Sequence, residues 1–273
     1  MKIKQSDPKR VVYKHNPLVE VLCQIRFERV LRLVTGAPDA FQQKFAAKYP
    51  KLIEEQVASF QVVVGPGQPG AVDQLATPAA AKIYHFISAD KRTKVSVSAD
   101  FVSFSCEVYE RWESFKEQAL EAFFGFLEIY PEAVPARIGL RYKDLIVREN
   151  LGLQGTPWSK LLTPFVSGVF AVEDFLEEPL TVADEAHIQQ ASQASLRLDE
   201  CGLLVQSTML RSADAEPQTA FLIDSDFFRD SSSYDLRPGK TSENLEALHG
   251  NADALFRRCI TETLHNALGP TPI

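Results

Sequence analysis

The chain holds 273 residues, 45% hydrophobic and 24% charged, which is enough to bury a sizeable core and too apolar for a mostly unfolded chain. Its net charge of −7 is uneven: residues 1–135 carry 17 Lys+Arg against 16 Asp+Glu, and residues 136–273 carry 12 against 20. That balance lacks the basic footprint by which a general nucleic-acid binder neutralises phosphates, and no apolar run reaches the length of a membrane span.

The first residues are charged, with Lys2, Lys4, Lys9, Arg10 and Lys14 against Asp7, and read as a solvated terminus rather than a secretory leader. Residues 16–27 (NPLVEVLCQIRF) predict a strand. Val19, Val21, Cys23, Ile25 and Phe27 fall on one side, Glu20, Leu22, Gln24 and Arg26 on the other. A helix is expected over 38–57, a short strand over 61–64, and a Gly/Pro-rich loop from GPGQPG (65–70) to about residue 80. Strands follow at 82–88, 93–99 and 101–108. A long helix over 110–130 carries the stripe Trp112, Phe115, Leu120, Phe123, Leu127 and Tyr130.

Residues 136–147 (ARIGLRYKDLIV) predict the next strand, and from there the element order begins again. A short helix fits 157–162, with Thr156 as N-cap and Pro157 at its first position. Strands fit 169–176, 186–198, 203–211 and 219–228, and a helix closes the pattern over 242–268. Both halves then read strand, helix, antiparallel strands, long helix. This predicts an α+β fold of two pseudo-repeated units, 1–135 and 136–273, packed as one body. One continuous curved sheet, similar to the saddle of TATA-binding-protein-like folds, with helices on one face, is the expected architecture.

The common chemistries find little support. GPGQPG lacks the lysine and spacing of a phosphate-binding loop, and its prolines remove backbone donors. Cys23, Cys106, Cys201 and Cys259 form no CxxC pair and read as small buried thiols, which favours a cytoplasmic setting. The five histidines include no HExxH. Asp224 and Asp226 share a strand face, where they are either a solvated edge or, with Asp235, a magnesium chelate. His249 and Asp253 lie four apart on the last helix and read as an i,i+4 pair. No catalytic residue, metal ligand or cofactor is therefore assigned.

One constellation remains as a ligand or partner surface. Glu20 and Arg26 share a face of the first strand, and Arg137, Arg141 and Lys143 share a face of the strand at 136–147, opposite Ile138, Leu140 and Tyr142. If the two strands meet, these side chains line either a pocket for an anionic ligand or an inter-strand salt-bridge ladder. The run Glu173, Asp174, Glu177, Glu178, Asp184 and Glu185 is a second candidate surface, for steering a basic partner protein.

NPLVEVLCQIRF (16–27), YERWESF (109–115), RIGLRY (137–142) and LHGNADALFRRCITETLHNALG (248–269) stand in an order and spacing that resembles a sporadically distributed family of bacterial proteins of about this size. The resemblance carries Asn16, Pro17, Glu20, Arg26, Arg137, Arg141, His249, Phe256 and Thr261. It implies no catalytic residues, and the patchy distribution implies an accessory role such as defence against mobile elements. The expectation is a non-enzymatic adaptor that binds another protein. The alternatives are a small-molecule or nucleotide-binding module, with or without enzymatic activity, and a nucleic-acid binder acting through the sheet.

Overall fold

The structure, a computed structural model, describes residues 1–4, 11–57, 81–172, 176–213 and 218–272. In chain order the strands are β1 (Val11–Tyr13), β2 (Leu18–Phe27), β3 (Lys51–Val57), β4 (Ala81–Ile87), β5 (Thr93–Ser98), β6 (Phe101–Cys106), β7 (Pro135–Val147), β8 (Ala191–Arg197), β9 (Gly202–Arg211), β10 (Thr219–Asp230) and β11 (Pro270–Pro272). The helices are α1 (Leu31–Thr35), α2 (Asp39–Phe45), α3 (Trp112–Ile129), α4 (Trp158–Leu161), α5 (Pro164–Ser167), α6 (Thr241–Cys259) and α7 (Glu262–Ala267).

Among the described residues the strands form one nine-stranded antiparallel sheet, ordered β3-β4-β5-β6-β2-β7-β10-β9-β8, and a β1–β11 ribbon. The fold is α+β. In each half the opening strand (β2 or β7) pairs with the strand that precedes the long helix (β6 or β10). The two opening strands meet at the centre, with Gln24 opposite Gly139 and Glu20 opposite Lys143. A register shift between Leu18 and Glu20 bulges β2 beside Asp144.

Period-2 alternation divides β7 cleanly. Ile138, Leu140, Tyr142, Asp144 and Ile146 face the helices, and Arg137, Arg141 and Lys143 face the open side. The helix face carries the core. On α3, Trp112, Phe115, Ala119, Ala122, Phe123 and Phe126 recur at helical spacing and bury against the sheet. Phe104 meets Phe115 and Phe27 stacks on Phe126. Gly125 lets α2 approach α3, since a Cβ there would lie 2.4 Å from the Phe45 ring. On α6, Leu245, Leu248, Ala252, Leu255 and Cys259 seat the helix over β7 and β10.

Several expected elements differ. The helix expected over 38–57 ends at Phe45, and residues 51–57 form the edge strand β3. Pro50 explains the break, because a proline inside a helix removes a donor and clashes with the preceding turn. The strand expected over 169–176 is instead a 3-10 turn at Gly168–Ala171, entered through Gly168 at φ 57°. Residues Ala183–His187 form another, so the strand expected over 186–198 shortens to β8. Thr156 does not cap α4; Pro157 occupies that position. The closing helix is two helices. Ile260 is extended and bridges to Leu162, and Thr261 caps α7 by accepting from the Leu264 N–H. The strand expected at 61–64, the GPGQPG loop, Lys9, Arg10, Glu173 and Asp174 lie outside the described residues.

Candidate functional site

The Arg/Glu constellation comes together on the open face as a ladder across β2, β7 and β10. Lys143 meets Glu20 at 2.6 Å, Arg137 meets Asp226 at 2.8 Å, and the Arg141 Nε donates to Asp224 at 2.6 Å. Arg26 turns away to Asp100 at 3.1 Å. Arg137 also lies 3.9 Å over the Phe228 ring. The bond to Asp224 raises the already high pKa of Arg141, while burial raises that of Asp226 against the pull of Arg137 and Arg141. Each of these four cations is thus engaged by a carboxylate of its own. Asp224 and Asp226 face arginines, and Asp235 chelates Arg237, so the three do not converge as a magnesium site.

The acidic run divides. Glu177 and Glu178 are exposed, and Asp184 accepts from the Thr181 N–H and hydroxyl. Glu185 is not a surface residue: it is 2% exposed and holds Arg148 through two hydrogen bonds of 2.8 and 2.7 Å, with Thr219 as a third member. The carboxylate needs that pair because an unpaired charge at this depth is costly.

The opposite face of β7 holds a different arrangement. A cavity of about 1020 Å³ opens between the centre of the sheet and α6. Leu18, Tyr142, Asp144 and Ser225 form its floor, and His249, Ala252, Asp253 and Phe256 of α6 its roof. Tyr13 of β1, Tyr109 and Glu110 before α3, and Arg257, Glu262 and His265 complete the wall. Two tyrosine–histidine pairs stand in it. The Tyr142 hydroxyl is 2.9 Å from His249 Nδ1, and the Tyr13 hydroxyl is 2.9 Å from His265 Nδ1.

Burial pushes Tyr13 up to about 12 and Tyr142 well above the usual phenol range, so both hydroxyls keep their protons near neutrality. Burial, reinforced by Arg257, holds His265 below the usual imidazole value. The Tyr13 hydroxyl and His265 Nδ1 share one hydrogen bond, whose direction is set by the imidazole tautomer. His249 stacks on Trp112 with centroids 4.2 Å apart, and the Trp112 Nε1 donates to Glu246 at 3.0 Å. Its position is thus fixed from two sides, beyond the i,i+4 relation to Asp253 that the sequence suggests.

Asp144 is the most unusual group. It is 5% exposed, and among the described residues its carboxyl has no hydrogen-bond partner. Burial, then the negative charge of Asp224 on the neighbouring strand, pushes its pKa up to about 8. A polar group without a partner survives in a fold where a ligand or water supplies one. Its signal was present in ARIGLRYKDLIV, where strict alternation sets Asp144 on the apolar face with Ile138, Leu140 and Ile146.

A further hydrogen-bonded row crosses β3, β4 and β5: His85 lies 2.8 Å from both Ser96 Oγ and Glu55 Oε2. Ser96 sits within a strand paired on both sides, not on an exposed turn, so the row belongs to the sheet's cross-strand contacts. Among the described residues no three His, Cys, Asp or Glu converge on a metal-sized point, and no helix is long and apolar enough to cross a membrane. Compared with protein-family models and with curated proteins, the chain matches none.

Proposed function

We propose that this protein is a small-molecule-binding module whose ligand occupies the cavity between α6 and the centre of the sheet. The observation that carries the reading is the unpartnered, buried Asp144 in the floor of a cavity large enough for a metabolite. The pocket differs from the one expected, since Glu20, Arg137, Arg141 and Lys143 lie on the other face and satisfy one another or Asp224 and Asp226. All four segments that carry the bacterial resemblance contribute to the cavity wall, through Asn16, Tyr109, Tyr142 and His249 among others. The same resemblance supports a bacterial accessory role, the scattered buried cysteines support a cytoplasmic setting, and the strand order supports a pseudo-repeat of the two halves. The adaptor reading keeps Glu177 and Glu178 as exposed acids and loses Glu185.

Gly250 provides the test. It lies on α6 at the cavity, and a Cβ there meets nothing within 4 Å. Gly250→Leu therefore adds bulk at the cavity wall from a Cβ that meets no neighbour, and it improves helix propensity. Native mass spectrometry of the purified protein should show a retained small molecule that Gly250→Leu loses at unchanged melting temperature. Identical mass profiles for the two proteins, with no adduct on either, would count against the reading.

A further inference from the structure

We infer that the cavity selects an organic cation, docking an ammonium or guanidinium group on Asp144; this inference rests on the cavity being a ligand site. Among the described residues the cations at the wall are engaged. Arg257 is paired with Glu262, and the Arg258 Nε donates to the Lys4 carbonyl at 2.9 Å. Glu246 is likewise held by Trp112 and Lys116. Asp144 alone offers a buried carboxyl with both oxygens unmatched by a described residue, and it offers them into the cavity. Among the described residues an anionic ligand would find no unengaged arginine there, and it would meet Asp144 at the floor. A cation finds an acceptor below and the rings of Tyr13, Tyr109 and Phe256 around it, which suits the negative face of an aromatic. An organic cation fits better than a metal ion because, among the described residues, the carboxylates do not converge.

The cation also reverses the cost that keeps Asp144 protonated. Burial disfavours its charge, and a positive group within hydrogen-bonding distance restores it, so binding releases the Asp144 proton and tightens as pH rises toward 8. The groups that share its surroundings are Tyr142 on its own strand, Asp224 on β10 and Tyr13 on β1. From the helices they are His249, Asp253, Arg257 and Cys259 of α6, with Glu262 and His265 of α7. Tyr13, Tyr142 and His265 are each held neutral near pH 7, and Arg257 is neutralised by Glu262. The Asp144 proton is therefore the one that cation binding displaces.

Two matched series isolate the charge: tyramine, tyrosol and 4-hydroxyphenylacetate, and 1,5-diaminopentane, pentane-1,5-diol and glutarate. Isothermal titration at pH 7.5 should find at least one amine binding about tenfold more tightly than its alcohol, and the acids weakest. Asp144→Asn should erase that preference with no loss of melting temperature, and the amine's affinity for the wild type should fall at pH 6. Equal binding of amine and alcohol, preference for the acid, no binding in either series, or an amine preference that Asp144→Asn leaves intact would each overturn the inference. A neutral or anionic metabolite retained by the wild type and lost by Gly250→Leu would overturn it too, while leaving the cavity as the ligand site.

Discussion

The two faces of β7 carry polar side chains within one residue of each other and treat them in opposite ways. On the open face Arg141 and Lys143 each meet a carboxylate from an adjoining strand, at distances that match charge-assisted hydrogen bonds. On the helix face Tyr142 meets His249, and Asp144 meets no described partner although it is far more buried than either cation. Pairing of this kind holds neighbouring strands in register; a missing partner at greater depth marks the place where a ligand is expected. The contrast teaches that the density of charge in a sequence segment is a poor guide to its site. What matters is whether the fold supplies the counter-group.

The comparison sharpens first at Arg148, where pairing and deep burial coincide. Its guanidinium is held by Glu185, Thr219 and the Thr156 carbonyl and lies 4.4 Å over the Trp158 ring. Arg148→Met leaves Glu185 buried without its partner and should cost about 3–5 kcal/mol in urea unfolding. Arg148→Met combined with Glu185→Gln should cost clearly less, because the stranded charge is gone. Equal losses for the single and double variants would mean that the pair contributes through packing alone.

Asp144 gives the second effect, with the opposite sign. Its folded pKa of about 8 lies above the ordinary aspartate value, so the folded state binds a proton that the unfolded chain has released. Wild-type stability should then decline as pH rises from about 4 to 8, at no more than about 1.4 kcal/mol per unit. Asp144→Asn has no such proton. The variant should gain on the wild type by roughly 3 kcal/mol between pH 5 and 7, read from urea midpoints at each pH. Parallel pH profiles for the two proteins would show that Asp144 ionises normally in the fold.

Much of this architecture was legible. Alternation in 16–27 and 136–147 identified the two central strands and their apolar faces, and helical spacing identified α3 and α6. Their mutual pairing followed from reading the halves as equivalent, which also brought Glu20 and Lys143 together. The errors came from local signals that were outweighed. Pro50 ends the helix before Lys51, yet Leu52 and Ile53 fitted a helical stripe. Thr261 followed by Glu262 is an N-cap signature inside a segment whose periodicity runs on almost unbroken. The cavity itself was hidden because it is assembled from β1, β7, α6 and α7, and no single stretch shows that convergence. Asp144 was the one local clue, a carboxylate in phase with its strand's apolar face.

The smallest effect belongs to the open face, and it decides whether paired charge there scales with burial. Asp224 is 10% exposed and grips Arg141, whereas Asp100 and Arg26 are 41% and 49% exposed. Replacing Asp224 by Ala strands a half-buried guanidinium beside Asp226 and should cost about 1–2 kcal/mol. Asp100→Ala should change stability by less than about 0.5 kcal/mol, since solvent already screens that pair. Neither substitution should abolish ligand retention, because both side chains lie on the face turned away from the cavity and Asp224 reaches Asp144 only through its charge. Urea midpoints and native mass spectra of the two variants test both parts. If Asp224→Ala lost the ligand at little cost in stability, the ladder would belong to the site, and the division between the faces of β7 would fail.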